Sequence, residues 1–146
     1  MYIVPGSHAR ISRHAQTPLV AFTAALTNHL TGFGNGQNVR FDHVITNVGN
    51  GYAHSQGTFT APVAGVYVFS TTLMSYYNHN DHFQLMINGN MVYRLYVGGG
   101  GSNNHDTTGS SVVIHLQQGD IVSIQNMDVN ENVYGVLYSL FTGERK

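Results

Sequence analysis

The longest β-prone run of the chain is Phe59–Tyr77, with the sequence FTAPVAGVYVFSTTLMSYY. From Val66 onward almost every residue is β-branched or aromatic, and the run contains no Asp, Glu, Lys or Arg. A run that is apolar on both faces predicts a central strand buried on two sides, as in a sandwich. Pro62 cannot donate to a strand ladder, and Gly65 tolerates unusual backbone angles. The segment before Val66 therefore predicts a turn between two strands.

Shorter strands separated by turns are predicted along the rest of the chain. His82–Ile87 alternates apolar and polar residues, and Asn88-Gly89 is a strong two-residue hairpin turn that leads back into Asn90–Val97. Leu19–Leu30 fits one face of a helix and an alternating strand equally well. Further predicted strands are 52–55, 58–61, 110–116, 121–127 and 134–142. About ten short strands and no clear long helix predict an all-β sandwich.

The loops of such a sandwich fall into two groups, because antiparallel neighbours alternate in direction. Loops 78–81, 98–106 and 128–132 are long and polar and should share one end. Turns 61–65, 88–89 and 118–120 are short and should share the other end. Binding residues often lie on long loops held by a rigid scaffold, so the end with the long loops is the predicted site.

Composition narrows the function classes. The 146 residues suit one domain, and the net charge of −1 argues against nucleic-acid binding. No run is long and apolar enough to span a membrane, and the absence of cysteine excludes disulfides and thiolate chemistry. Residues 1–18 are predicted to be a polar tail rather than a signal peptide. The predicted domain is 19–143, with a charged end at 144–146.

A spaced set of residues in the middle of the chain resembles a family signature, that of the globular-head domain of complement component 1q, within the tumour-necrosis-factor-like superfamily. The final signature position, Phe or Tyr in the family, is Thr71 here. The matching positions are Phe41, Asn47, Tyr52, Phe59, Gly65, Tyr67 and Phe69. Further matching segments are Val20–Ala24, Phe41–Val44, Asn47–Asn50, Leu116–Asp120 and Tyr138–Gly143, so the resemblance covers about Leu19 to Gly143.

The resemblance implies a ten-stranded jelly roll assembled as a compact homotrimer, with Leu19–Leu30 forming a strand. Family members usually continue with apolar residues after the closing Gly143, whereas Glu144-Arg145-Lys146 follow here, so the final strand is expected to be shorter. No collagen-like repeat precedes the domain in this sequence. The chain thus resembles the head-only invertebrate members, especially those of bivalves, which are secreted recognition proteins and often lectin-like.

Polar and aromatic residues of the long loops are the candidate carbohydrate contacts. Amides and carboxylates hydrogen-bond sugar hydroxyls, and aromatic rings pack against the apolar face of a sugar. The candidates are Tyr76, Tyr77, Asn78, His79, Asn80, Asp81, Asn103, Asn104, His105, Asn130 and Tyr134. Asp128 and Glu131 are interpreted as ordinary loop charges.

Two metal sites are considered. His79 and His82 are spaced so that their imidazoles could bind a transition metal, although solvated histidines are the simpler interpretation. Some members of the resembled family bind calcium near the trimer axis, and Asp106 is the nearest match to that position. No cofactor is required by the sequence, and calcium is the possible one.

No catalytic motif is present, which predicts that the protein is not an enzyme. The Gly98–Gly101 run lacks the lysine and spacing of a phosphate-binding loop. We expect a secreted, extracellular recognition protein of innate immunity that binds glycans or microbial surface polysaccharides. The alternatives are a receptor-binding signalling head, cerebellin-like or cytokine-like, and a histidine-rich metal-binding or matrix protein.

Overall fold

The computed structural model describes residues 18–98 and 104–146, and the regular elements in this part of the chain are β-strands. The bounds of strands β1 to β12 are, in chain order, Ala21–Ala25, Leu30–Phe33, His43–Val48, Tyr52–Ala53, Thr58–Thr60, Gly65–Met74, Asn80–Ile87, Asn90–Gly98, Thr107–Leu116, Ile121–Asn126, Glu131–Val133 and Leu140–Arg145. Nothing in the described segments forms a helix long and apolar enough to cross a membrane. The prediction of an all-β fold is confirmed.

Ten of these strands form two five-stranded antiparallel sheets. The first sheet has the order β3-β1-β12-β6-β9, and the second has the order β4-β5-β10-β7-β8. The short strands β11 and β2 pair beside them. Most neighbours in each sheet are far apart in sequence, as a jelly roll requires. The fold is therefore the predicted ten-stranded jelly roll.

Aromatic rings fill the space between the two sheets. Phe22 on β1 stacks on Tyr52 at a centroid distance of 4.9 Å and on Phe59 at 5.1 Å. Its edge contacts Phe141 on β12 at 5.0 Å. Phe69 on β6 packs against Phe59 at 5.5 Å. These rings belong to strands of both sheets, and their burial holds the sandwich together.

Two signature residues are explained by local hydrogen bonds. The Asn47 amide donates to the Tyr52 carbonyl at 2.9 Å and accepts the Tyr52 N–H at 3.2 Å. The Tyr52 hydroxyl donates to the Phe41 carbonyl at 2.8 Å. At the divergent position, Thr71 is buried, and its hydroxyl donates to the Leu140 carbonyl on the neighbouring strand at 3.0 Å.

The prediction that the central strand is buried on both faces is wrong for a single chain. Tyr67, Phe69, Thr71 and Leu73 of β6 are buried, whereas the alternate residues are half-buried or exposed, with Val66 41% exposed. The second sheet covers only one face of the first. Both faces of this strand are apolar at its start, so the residues alone could not show which face the core covers.

Several strand boundaries differ from the predictions, most of all at the two ends of the domain. Leu19–Leu30 is no single element, since β1 ends at Ala25 and β2 begins at Leu30. The predicted strand 134–142 is also wrong, because β11 ends at Val133 and β12 begins at Leu140. The last strand ends later than expected, since β12 continues to Arg145 and pairs Glu144 with Val68.

The grouping of the loops into two ends is confirmed by hydrogen bonds. At one end the turns meet, where the Asn88 amide donates to Asp120 at 2.9 Å and the Gly119 N–H donates to the Ala61 carbonyl at 2.8 Å. At the other end the Ser75 N–H donates to the Asp106 carbonyl at 2.8 Å. The described parts of the long polar loops therefore lie at one end of the sandwich.

Candidate functional site

A cluster of tyrosine and histidine rings lies on the surface formed by the long loops. Tyr134 is at its centre, with ring centroids 4.2 Å from His29 and 4.3 Å from His105. Tyr76 lies 5.5 Å from Tyr134. We call this cluster the aromatic rim, and its members are His29, Tyr76, Tyr77, His105, Tyr134 and Tyr138. Tyr77 and Tyr138 are each 55% exposed and contact the cluster at His105 and Tyr134, respectively.

Backbone hydrogen bonds hold the aromatic rim in place. The Tyr134 N–H donates to the Met74 carbonyl at 2.8 Å, which ties the segment after β11 to the end of β6. The Gly135 N–H donates to Nδ1 of His29 at 2.9 Å. Nδ1 of His105 donates to the Ser75 carbonyl at 2.7 Å. The rings are thus positioned before any ligand arrives, which lowers the ordering cost of binding.

Beside the rim, His79 is part of a closed polar network. The Asn132 side-chain oxygen accepts the Gly32 N–H at 2.9 Å, so its NH₂ group faces Nε2 of His79 at 3.0 Å. Nε2 therefore accepts, and Nδ1 donates to the Asp81 carboxylate at 2.9 Å. Asp81 also accepts the Asn132 N–H at 3.0 Å. This network joins the start of β7 to β11.

Burial raises the pKa of Asp81 above its usual range. Desolvation is the main cause, and the negative charge of Glu131 adds to it. The hydrogen bonds from Asn132 and His79 lower the pKa and offset part of the increase. The second carboxylate oxygen of Asp81 is buried and has no hydrogen-bond partner within the described part of the chain.

Glu131 is the hydrogen-bonding centre of the adjacent loop. It is 3% exposed, and one of its oxygens accepts the N–H groups of Met127 at 2.9 Å and Asp128 at 3.0 Å. The other oxygen accepts the N–H of His82 on β7. The interpretation of Glu131 as an ordinary loop charge is wrong. Asp128 is exposed, as that interpretation expected.

The predicted contact residues divide into surface and buried groups. Asn78, Asn80, Asn104 and Asn130 are exposed at the end of the sandwich that carries the rim. Asp81 is buried at 0% exposure, so it supports His79 and Asn132 instead of presenting a carboxylate to a ligand. Asn80 and Asp81 also belong to β7 rather than to a loop. Asn103 lies outside the described residues. Ligand binding by the exposed residues stays a prediction.

The structure gives a different outcome for each predicted metal ligand. Both ring nitrogens of His79 have hydrogen-bond partners within the protein, which leaves no lone pair for a metal. His82 instead lies with Asp128 and Glu131 in the group of three potential ligands found among the described residues. Asp106 is not in this group. Calcium takes six to eight oxygens, so the carboxylate of Asp106 would supply only part of a calcium site. Calcium at Asp106 stays a prediction.

Sequence reasoning missed His29 and Tyr138, which complete the aromatic rim. His29 lies in a short polar stretch before β2, more than 100 positions before Tyr134, and it meets Tyr134 only because β2 pairs with β11. Tyr138 falls within the predicted strand 134–142, but the structure has no strand at this position. The available signal was that the segment YGVLY, once it is not part of a strand, places a second tyrosine near Tyr134.

A groove on the flank of the sandwich was also unforeseen. It encloses about 570 Å³ beside β2 and β5. Gln37, Asn38, Arg40 and Gln56 line it with polar groups, and Phe33 supplies an apolar wall. The side-chain amide oxygen of Asn38 is buried there and has no hydrogen-bond partner among the described residues. This groove is a concave surface, separate from the aromatic rim, with the polar groups to receive a polar ligand.

Comparison with known proteins agrees with this architecture. A family model described as the C1q domain matches residues 21–144. Complement C1q tumor necrosis factor-related protein 3 of Homo sapiens is 35% identical over 104 residues, which are 70% of this chain and 41% of the relative. The Mus musculus protein of the same name matches equally well. The chain thus spans less than half the length of these curated relatives.

Solved structures share the fold at low sequence identity. The Globular Domain of Zebrafish Complement 1qA protein superposes with a TM-score of 0.71 at 19% identity, covering 85% of this chain and 94% of that one. Murine APRIL at pH 5.0 superposes with a TM-score of 0.70 at 12% identity, covering 88% and 99%. Because the family model matches residues 21–144 and so includes the strands of both large sheets, the chain belongs to the C1q domain family.

Proposed function

We propose that this chain is a secreted, non-enzymatic recognition head that binds carbohydrates or microbial surface polysaccharides in innate immunity. Membership of the C1q domain family points to a recognition or signalling head. The observation that carries the finer proposal is the aromatic rim, a fixed surface cluster of tyrosines and imidazoles with exposed asparagines at the same end. Sugars need both an apolar ring face and hydrogen-bonding amides, and this end of the domain offers the two together.

Substitution of the exposed tyrosines tests the carbohydrate proposal. Tyr77→Ala and Tyr138→Ala should each weaken binding to a polysaccharide by about tenfold, since loss of one stacking ring removes about 1.4 kcal/mol. Glycan arrays with and without calcium identify the ligand, and surface plasmon resonance then measures each variant. Tyr96→Ala is the matched control, because Tyr96 is also 55% exposed but lies on β8, outside the rim.

Two results would contradict this proposal. An array on which the wild-type protein binds no glycan in either condition removes the lectin function. Unchanged binding by both tyrosine variants removes the rim as its site. If Arg40→Ala then abolished binding, the ligand would occupy the groove on the flank instead.

A receptor-binding signalling head is the second candidate, cerebellin-like or cytokine-like. It is favoured by the 35% identity with a tumor necrosis factor-related protein over 70% of this chain. A protein receptor whose binding is equally strong to wild type, Tyr77→Ala and Tyr138→Ala would support it. The two candidates therefore differ in their response to the same variants.

We also propose that the chain forms a homotrimer through the outer face of the first sheet. Strand register places Val48, Ala21, Glu144, Val68 and Val113 in one row across this face. Val113 is 66% exposed in a single chain. Four of the five side chains in this row are apolar, and a largely apolar surface is suited to burial against further copies. Three copies would also give weak sugar sites the benefit of multivalency.

Sedimentation equilibrium measures this assembly. The wild-type protein should have three times the 16.0 kDa mass of one chain, and Val113→Asp should shift it to the monomer by placing a charge in the interface. Val129→Asp is the control, because Val129 is 61% exposed on a loop outside the sheet. A monomeric wild type, or a Val113→Asp protein that remains trimeric, would contradict the proposed interface.

A further inference from the structure

We propose that His82, Asp128 and Glu131 form a binding site for a divalent transition ion of the zinc class. We call these three side chains the His82 site. It goes beyond the recognition function, since none of the three belongs to the aromatic rim. Imidazole nitrogen and carboxylate oxygen are ligands that zinc accepts.

The distances suit one shared ion. Nδ1 of His82 lies 3.6 Å from a carboxylate oxygen of Glu131. Two ligand atoms on a tetrahedral zinc, each with a bond of about 2.1 Å, are separated by about 3.4 Å. Potential ligand atoms of His82, Asp128 and Glu131 all lie within 4.8 Å of one another. A small movement of the exposed Asp128 side chain therefore completes three protein ligands.

Glu131 organises the site before any ion binds. Its carboxylate accepts the backbone N–H groups of both other ligand residues, His82 and Asp128. The Met127 N–H, which precedes Asp128 in the chain, also donates to it at 2.9 Å. The positions of β7 and the 128–130 loop are thus set by the same buried side chain. Little ordering remains to be done when an ion arrives.

The local charge favours a cation. Asp81 and Glu131 are both buried, and they meet where β7 crosses β11. Among residues 18–98 and 104–146, their ion pairs are with histidines and not with Lys or Arg. The free oxygen of Asp81 remains buried without a partner. Buried carboxylates are costly unless a positive charge compensates them, and a divalent ion beside Glu131 would do so.

The site is accessible from solvent. The His82 side chain is 44% exposed, and Asp128 is exposed. An ion can therefore enter without unfolding of the sandwich. Three protein ligands leave the fourth tetrahedral position for water or for a group of a ligand.

Isothermal titration of the full chain with ZnCl₂ tests the proposal. The titration uses a His8→Gln/His14→Gln background, so that the two histidines of the N-terminal segment do not contribute. We expect one ion per chain, with affinity reduced about tenfold or more in both His82→Gln and Asp128→Asn. His54→Gln is the matched control. His54 is exposed in the segment after β4 and is not one of the three ligand residues, so the affinity of this variant should be unchanged.

Circular dichroism confirms that each variant is folded, and Glu131 is left intact because its carboxylate is structural. Crystals soaked in ZnCl₂ should give an anomalous peak at the zinc edge between His82 and Glu131. The absence of saturable binding in the background protein would overturn the proposal. Equal affinity in wild type, His82→Gln and Asp128→Asn, or an anomalous peak elsewhere, would overturn it as well.

Discussion

Phe22→Ala is expected to lower the free energy of unfolding by about 3–5 kcal/mol, because it removes a ring from the centre of the core. Phe22 is 2% exposed and contacts Tyr52, Phe59 and Phe141 at centroid distances of 4.9, 5.1 and 5.0 Å. Those partners come from both large sheets. The neighbouring backbone is held in two β ladders, so the cavity cannot collapse easily.

Urea denaturation followed by circular dichroism measures this loss. All variants must be compared at one protein concentration, because the proposed trimer would couple stability to concentration. Phe22→Leu should lose less than Phe22→Ala, since it leaves a smaller cavity. Tyr96→Ala, at an exposed position, should remain within about 0.5 kcal/mol of wild type. A Phe22→Ala protein as stable as this control would show that the ring does not join the sheets as described.

Glu131→Gln should cost about 2–4 kcal/mol of stability. The buried carboxylate accepts the N–H groups of His82, Met127 and Asp128, and hydrogen bonds to a charged acceptor are stronger than neutral ones. Glutamine keeps one acceptor oxygen but turns an NH₂ group toward a backbone donor. One side of the network is then left unsatisfied in a buried position.

Equilibrium unfolding in EDTA isolates this effect from bound metal. Hydrogen exchange adds a local readout, since the amides of Met127 and Asp128 should exchange faster in Glu131→Gln than in wild type. Asp106→Asn makes the same carboxylate-to-amide change at an exposed position and should be nearly neutral. Unchanged stability together with unchanged exchange in Glu131→Gln would contradict the assigned role of the carboxylate.

Much of the fold is readable from local sequence. Asn88 and Gly89 both have positive φ, of 51° and 80°, as a two-residue hairpin turn requires. The spacing of Asn47 and Tyr52 creates a reciprocal pair of hydrogen bonds within five residues. The alternation in β7 also predicts correctly that Phe83 and Leu85 are buried, up to the bulge that follows Leu85. These features depend on neighbouring residues, so a pattern along the chain is enough to find them.

The segment between β11 and β12 shows where such patterns fail. Its residues are β-prone, yet Val136 and Leu137 have φ of 55° and 65°, a conformation that costs energy for bulky side chains. Their N–H groups donate to the carbonyls of Thr27 and Leu26, each at 2.9 Å. Contact with the segment after β1 therefore overrides the local preference for a strand.

Residues distant in sequence decide the candidate site even more strongly. The sequence by itself determined the jelly roll, the two groups of loops and the aromatic and polar character of the loop end. Only the tertiary structure decided that Asp81 is buried, that His29 and Tyr138 join Tyr134, and that Glu131 binds the backbone of His82. The physical reason is that β7 meets β11 and β11 pairs with β2 across long stretches of chain. The contacts between these strands decide which groups surround the carboxylates of Asp81 and Glu131, and hence what each carboxylate does. The residues beside them in the sequence do not.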